Sequence, residues 1–208
     1  LESLYQTALK EKDVVGIVVG TRPDCLPKRV LQKFAEIAQE NYLSVELGVQ
    51  TFDDAQLRFL SRGHDSASSL SAIRNLKKLP ELNLCVHLMF GIPDETDTQI
   101  RETAEILSEH EVDGVKLHNL HVLRNTPLEK LYHESRFTPV ELEEYSRKVT
   151  LFLENLSPKI AIHRLAAVAS RWDELVAPEW VREKMRPTQF IDDYLAAKET
   201  WQGRFFEF

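Results

Sequence analysis

Four apolar runs, at Val14–Val19, Ser44–Gln50, Leu84–Phe90 and Gly114–Val122, alternate with stretches of helical spacing. No other feature constrains the fold as strongly. Consecutive strands joined by helices pair in parallel through crossover connections. The class expected for residues 1–125 is therefore α/β, as an open sheet or as part of a (β/α) barrel. In both architectures ligands bind at the carboxyl ends of the strands.

The helices can be placed from their caps and stripes. Residues 3–11 carry Leu4, Tyr5, Ala8 and Leu9 on one face, and a helix near Pro27 to Asn41 turns Val30, Leu31, Phe34, Ile37 and Ala38 inward. Asp53 or Asp54 is the expected N-cap of a third helix, with Arg62 in its last turn and Gly63 as its C-cap. Asp65 or Ser66 opens a helix through Lys78, and Thr96 opens one that carries Ile100, Ala104, Ile106 and Leu107. Residues 126–208 read as a mostly helical extension. Thr138-Pro139-Val140-Glu141 looks like a capping box for a helix to about Leu156, residues 160–165 form one more strand, and a helix covers Phe190 to Trp201.

The strands share an asymmetry. Side chains alternate across a strand, so Val45, Leu47 and Val49 oppose Glu46 and Gln50. Val86, Leu88 and Phe90 oppose His87, Met89 and Gly91, and Val115 and Leu117 oppose Lys116 and His118. A sheet covered by helices on both faces reads as near-continuous apolar runs. Here one face of three consecutive strands is polar, and burying those groups without partners is costly. A lumen that holds a polar ligand resolves the conflict.

Composition narrows the function. The chain has 208 residues with a net charge of -7, which disfavours a surface coated in base for nonspecific nucleic-acid binding. Its two cysteines, Cys25 and Cys85, cannot build a disulfide framework or a four-cysteine metal site, and they fit a reducing cytoplasm. No apolar run reaches the ~18 residues of a membrane span. The glycines around Gly16 and Gly20 do not form a G-x-G-x-x-G run, so a dinucleotide fold has little support. His118 and His121 stand three apart and face opposite ways on one strand unless it ends between them. His118 with His87, joined by His163, is the better metal set.

Five segments in order, GTRPD-C, ELGVQ, RGHD, VHLMFGIPDET and KLH-LHV, together with the tail HRLAA, LVAPEW and TWQG, resemble the YhcC-type family of predicted iron–sulfur oxidoreductases. This family belongs to the radical S-adenosylmethionine (SAM) enzymes and is related to the elongator-type tRNA-modifying enzymes and to oxygen-independent coproporphyrinogen oxidase. The resemblance implies a partial (β/α) barrel, its strands equivalent to the third to sixth, that binds SAM beside a [4Fe–4S] cluster fed by an electron donor. By the same resemblance Gln50 contacts SAM and Arg62 pairs with its carboxylate, a role suited to a bidentate guanidinium. Glu46 and His87 lie near the cofactor, His87 where some relatives carry aspartate. Gly91 and His118 lie by the adenine, and Arg22 and Lys116 face cofactor or substrate. Elongator-type enzymes carry a glutamate where this chain has Gly20, so no SAM contact is assigned there.

One family feature is absent. The C-x3-C-x2-C motif that holds three irons and leaves the fourth for SAM has no counterpart here, because Cys25 and Cys85 are too far apart in sequence. The expectation is a carboxyl-terminal portion of a longer enzyme, inactive by itself, with the cluster ligands elsewhere. It would expose a sheet edge and could self-associate through it. The substrate is unknown, with tRNA a candidate. A cluster-free barrel module for another ligand or partner, and a divalent-metal hydrolase built on His87 and His118, are the alternatives.

Overall fold

The computed structural model describes residues 2–169 and 172–207. Seven strands occur among them: β1 (Gly16–Thr21), β2 (Tyr42–Gln50), β3 (Leu82–Phe90), β4 (Gly114–Asn119), β5 (Val122–Leu123), β6 (Ala161–Arg164) and β7 (Leu175–Ala177). The helices are α1 (Glu2–Lys10), α2 (Lys28–Glu40), α3 (Asp54–Phe59), α4 (Ser66–Leu76), α5 (Asp97–Glu109), α6 (Pro127–His133), α7 (Leu142–Asn155) and α8 (Arg186–Ala197). Five strands form one parallel sheet in the order β1-β2-β3-β4-β6. β5 and β7 make a small antiparallel pair of their own.

Helices cover one face of the sheet. Val45, Leu47, Val86, Leu88, Val115 and Leu117 are fully buried there, in one cluster with Phe34 of α2, Ile73 of α4, Ile100 of α5 and Phe152 of α7. The opposite face is the polar one, and no helix among those described is long and apolar enough to cross a membrane.

Three helix starts follow from their caps. Asp53 accepts from the Gln56 amide, Asp65 from the Ser68 amide, and Thr96 forms a full capping box with Gln99. The end of α3 differs from expectation. Gly63 is not its C-cap. Ser61, at φ 53°, takes the left-handed position, its amide reaches Arg58 O at 3.0 Å, and the Arg62 amide reaches Leu57 O at 2.9 Å. This is a Schellman motif. It stops the helix before Arg62, which therefore leaves from a loop.

The Thr-Pro-x-Glu box is used elsewhere. Thr126 caps α6, accepting from the Glu129 amide, while the Glu129 carboxylate takes the Asn125 amide at 2.7 Å. At 138–141, where the same pattern predicts a cap, α7 begins only at Leu142 and has no side-chain cap. Glu141 is extended there (φ −74°, ψ 155°), and the Val140 carbonyl before it accepts the Trp180 indole N–H at 3.1 Å. Two strand expectations also change. The first strand starts two residues late and lies at the sheet edge, so Val15 (82% exposed) and Val18 (60%) are open to solvent instead of buried. β4 ends at Asn119, and Val122 pairs instead with Ala177.

Candidate functional site

The polar face of the sheet carries a continuous network. Glu46 on β2 accepts from the Lys116 ammonium on β4 and lies 3.0 Å from His87 Nε2 on β3. These three side chains keep 20%, 24% and 20% exposure, enough for a ligand lying on the face to touch them. Burial alone would raise the Glu46 carboxyl, but Lys116 and His87 outweigh it and hold it below the usual carboxylate range. The His87 and His118 rings lie against each other, tilted by 35° with centroids 5.2 Å apart. Burial first, then the Arg164 charge, pushes His118 down to about 3, so it is neutral near pH 7. His87 is lowered by burial as well. The Arg164 guanidinium, from β6, sits directly on His118.

At the carboxyl end of β2 a bulge breaks the register between Gly48 and Gln50, and Gln50 takes the left-handed conformation at φ 73°. Side chains from the loop after α3 take the two carbonyls there. Arg62 Nη2 donates to Gly48 O at 2.9 Å, and His64 Nε2 lies 3.3 Å from Val49 O. Gly48 matters for space. A Cβ on it would come within 3.1 Å of Gln50 Nε2 and 3.2 Å of Arg62 Nη2. The glycine thus leaves a cradle on which amide and guanidinium converge.

Arg22 and Asp24, in the turn after β1, border the same end. Arg22 binds Asp24 in a fork, with contacts of 3.1 and 2.8 Å, so it is committed to a carboxylate already. Arg62 is not. Among the described residues it makes no ion pair, and its Nε is buried without a hydrogen-bond partner. Burial, and then the Arg22 charge, lowers its proton affinity.

On the next strand, Gly91 (φ 84°) closes β3 under Val140, whose Cγ1 lies where a Cβ would come within 2.5 Å. Its amide donates to Glu95 Oε2 at 3.1 Å, and Glu95 pairs at 3.0 Å with Lys148 of α7, both nearly buried. The turn at 91–93 is thereby fastened to the carboxyl-terminal helices.

The sequence model described as "Radical SAM superfamily" matches residues 1–107, and the "Radical_SAM C-terminal domain" model matches residues 112–197. The chain belongs to the radical SAM superfamily. It is 35% identical over 208 residues to an uncharacterized protein of Methanocaldococcus jannaschii, covering 99% of this chain and 64% of that protein. It is 35% identical over 196 residues to Protein YhcC of Escherichia coli, covering 94% and 63%. The chain thus spans a little under two thirds of these relatives. Among solved structures, the archaeal Methanocaldococcus infernus Elp3 with an N-terminal deletion superimposes with a TM-score of 0.74 at 20% identity, covering 90% of this chain and 43% of that one. That likeness is one of fold.

The superfamily's cofactors are SAM and a [4Fe–4S] cluster. The residues present fit the first: an unpaired guanidinium and an amide meet over a glycine cradle, as a carboxylate-bearing ligand requires. They do not fit the second. A cluster of this kind takes three thiolates, and the sequence holds two cysteines. Cys25 is exposed, while Cys85 is buried in β3 with its thiol pushed up to about 11 by burial.

Gln50 and Arg62 therefore meet over Gly48, and Glu46, His87, Lys116 and His118 meet on the inner face. Gly91 lies at the end of the neighbouring strand. Arg22 is turned to Asp24. His163 does not join His87 and His118: its ring covers Gly114, and Arg164 takes the place beside His118. Among the described residues no three His, Cys, Asp or Glu side chains are grouped to hold a metal. A cation beside His118 would also meet the charges of Arg164 and Lys116. The sequence reading missed Arg164, Gly48 and the Glu95–Lys148 pair. For Arg164 alternation gave no signal: it groups Arg164 with Ile162, which pairs with Val115 of the apolar face, and only a register shift in the β4–β6 ladder sets Arg164 opposite Lys116.

Proposed function

We propose that this chain forms the SAM-binding face of a radical SAM enzyme. The observation that carries the reading is the pairing of an uncompensated Arg62 guanidinium with Gln50 over Gly48 at the carboxyl end of β2. In this reading Arg62 takes the methionine carboxylate bidentately and Gln50 hydrogen-bonds the same end of the molecule. The Gly91 turn, made rigid by Glu95, borders the nucleoside end. Neutral His87 and His118 line the floor with a donor or an acceptor and no added positive charge beside a sulfonium. Glu46, ionised between Lys116 and His87, cancels the Lys116 charge on that floor. When bound, SAM would supply the radical chemistry of hydrogen abstraction, with Arg62 and Gln50 holding its methionine end.

The enzyme is an oxidoreductase in this proposal, served by an electron donor, and a reducing cytoplasm suits its free thiols. The elongator-type likeness makes tRNA the candidate substrate. The β1 edge is the surface through which self-association occurs. Calorimetric titration of SAM against decarboxylated SAM tests the site. Binding of SAM that weakens roughly tenfold or more when the carboxylate is removed supports it. Equal binding of the two overturns it.

A further inference from the structure

A second uncompensated guanidinium lies on the same face, on the far side of the network from Arg62. Arg164 is half-buried on β6, beside Lys116 of β4 in the ladder. Among the described residues it forms no ion pair, and its Nε is buried without a hydrogen-bond partner. Its one polar contact is a neutral imidazole, His118. The nearest acid on the face, Glu46, is already shared between Lys116 and His87. Glu46 thus cancels Lys116, as Asp24 cancels Arg22, and two positive charges, Arg62 and Arg164, are left over. Half-buried charges without counter-ions are costly in a low-dielectric site.

One ligand carboxylate cannot serve both. Arg62 is held at the end of β2 by the Gly48 carbonyl and Arg164 stands on β6, and those strands are three inter-strand steps apart, about 14 Å. We propose that Arg164 anchors an anionic group, a carboxylate or a phosphate, carried by the substrate. The assignment rests on the SAM reading above, which gives the first guanidinium to the cofactor and leaves the second for the molecule on which the chemistry is done. The planar fork suits either anion.

The test uses His118 as reporter. Inorganic phosphate and, separately, succinate are titrated into the protein while the His118 ring signals are followed by NMR. A saturable shift with either anion is expected. The one that saturates at lower concentration identifies the group. Arg164→Gln should weaken the response roughly tenfold or more, Arg164→Lys should keep a weaker one, and Arg62→Gln should leave it unchanged. No saturable shift in the unmodified protein, or an equal one in Arg164→Gln, overturns the proposal. Because the readout does not involve SAM, a failure of the cofactor site would appear separately, as loss of SAM binding with the His118 response intact.

Discussion

Arg62 reaches back fourteen residues to donate to the Gly48 carbonyl at 2.9 Å. That bond depends on three local events: the Schellman turn that ends α3 at Phe59, the bulge that frees the Gly48 carbonyl, and the missing side chain at Gly48. It fixes a guanidinium at the strand end while leaving its other donors for a ligand.

Gly48→Ala tests the cradle. The new methyl would lie 3.1 Å from Gln50 Nε2 and 3.2 Å from Arg62 Nη2, the ends of two flexible side chains, and 3.4 Å from Thr21 O. The side chains can move, so stability should change by less than about 1 kcal/mol. SAM affinity should fall roughly tenfold, because the two groups no longer converge. Urea denaturation and calorimetry on the same sample separate the two effects.

Lys148→Met leaves Glu95 buried without its cation. Breaking such a pair costs about 3 kcal/mol near neutral pH. Burial already raises the Glu95 carboxyl, and in the variant it rises further. The sign follows: the folded state then holds a proton that the unfolded chain releases, so the loss shrinks as pH falls toward 5. Urea midpoints at about pH 7 and about pH 5 check both size and slope.

The lowered His118 gives the opposite dependence. Its ordinary value is 6.5 and its folded value about 3. Between these the unfolded chain binds a proton that the folded one refuses, so stability is full above about pH 6.5 and falls as pH drops toward 3. His118→Gln should flatten this slope, by an amount on the order of 5 kcal/mol across the window. Stability measured at several pH values in that range decides it.

Among the described residues β1 pairs only with β2, and Val18 on it is 60% exposed. An unprotected edge of this kind recruits another strand. Sedimentation of the chain should show concentration-dependent association, and Val18→Lys should reduce it, since a charge on an edge strand opposes pairing.

Much of this was legible in the sequence because it rests on local rules. Period-two alternation placed Glu46, His87, Lys116 and His118 on one face, and Asp53, Asp65 and Thr96 announced their helices. What escaped depends on long-range competition. The pattern Thr-Pro-x-Glu occurs at 126 and at 138, and at the second the chain instead meets Trp180, forty residues away, whose indole takes the Val140 carbonyl. Gly63 looked like the helix terminator, but the left-handed residue is Ser61. Val14–Val19 read as buried because β-branched runs usually are, whereas the sheet places this strand at its edge. Arg164 joined the site only once β6 was seen to pair with β4.

The central claim is that Arg62 holds the carboxylate of SAM, and a double cycle tests it most directly. Four dissociation constants are measured, for SAM and decarboxylated SAM on the unmodified chain and on Arg62→Gln. The account predicts that removing the carboxylate weakens binding by about 1.5–3 kcal/mol on the unmodified chain and by almost nothing on the variant. A carboxylate contribution of the same size on both proteins would contradict it.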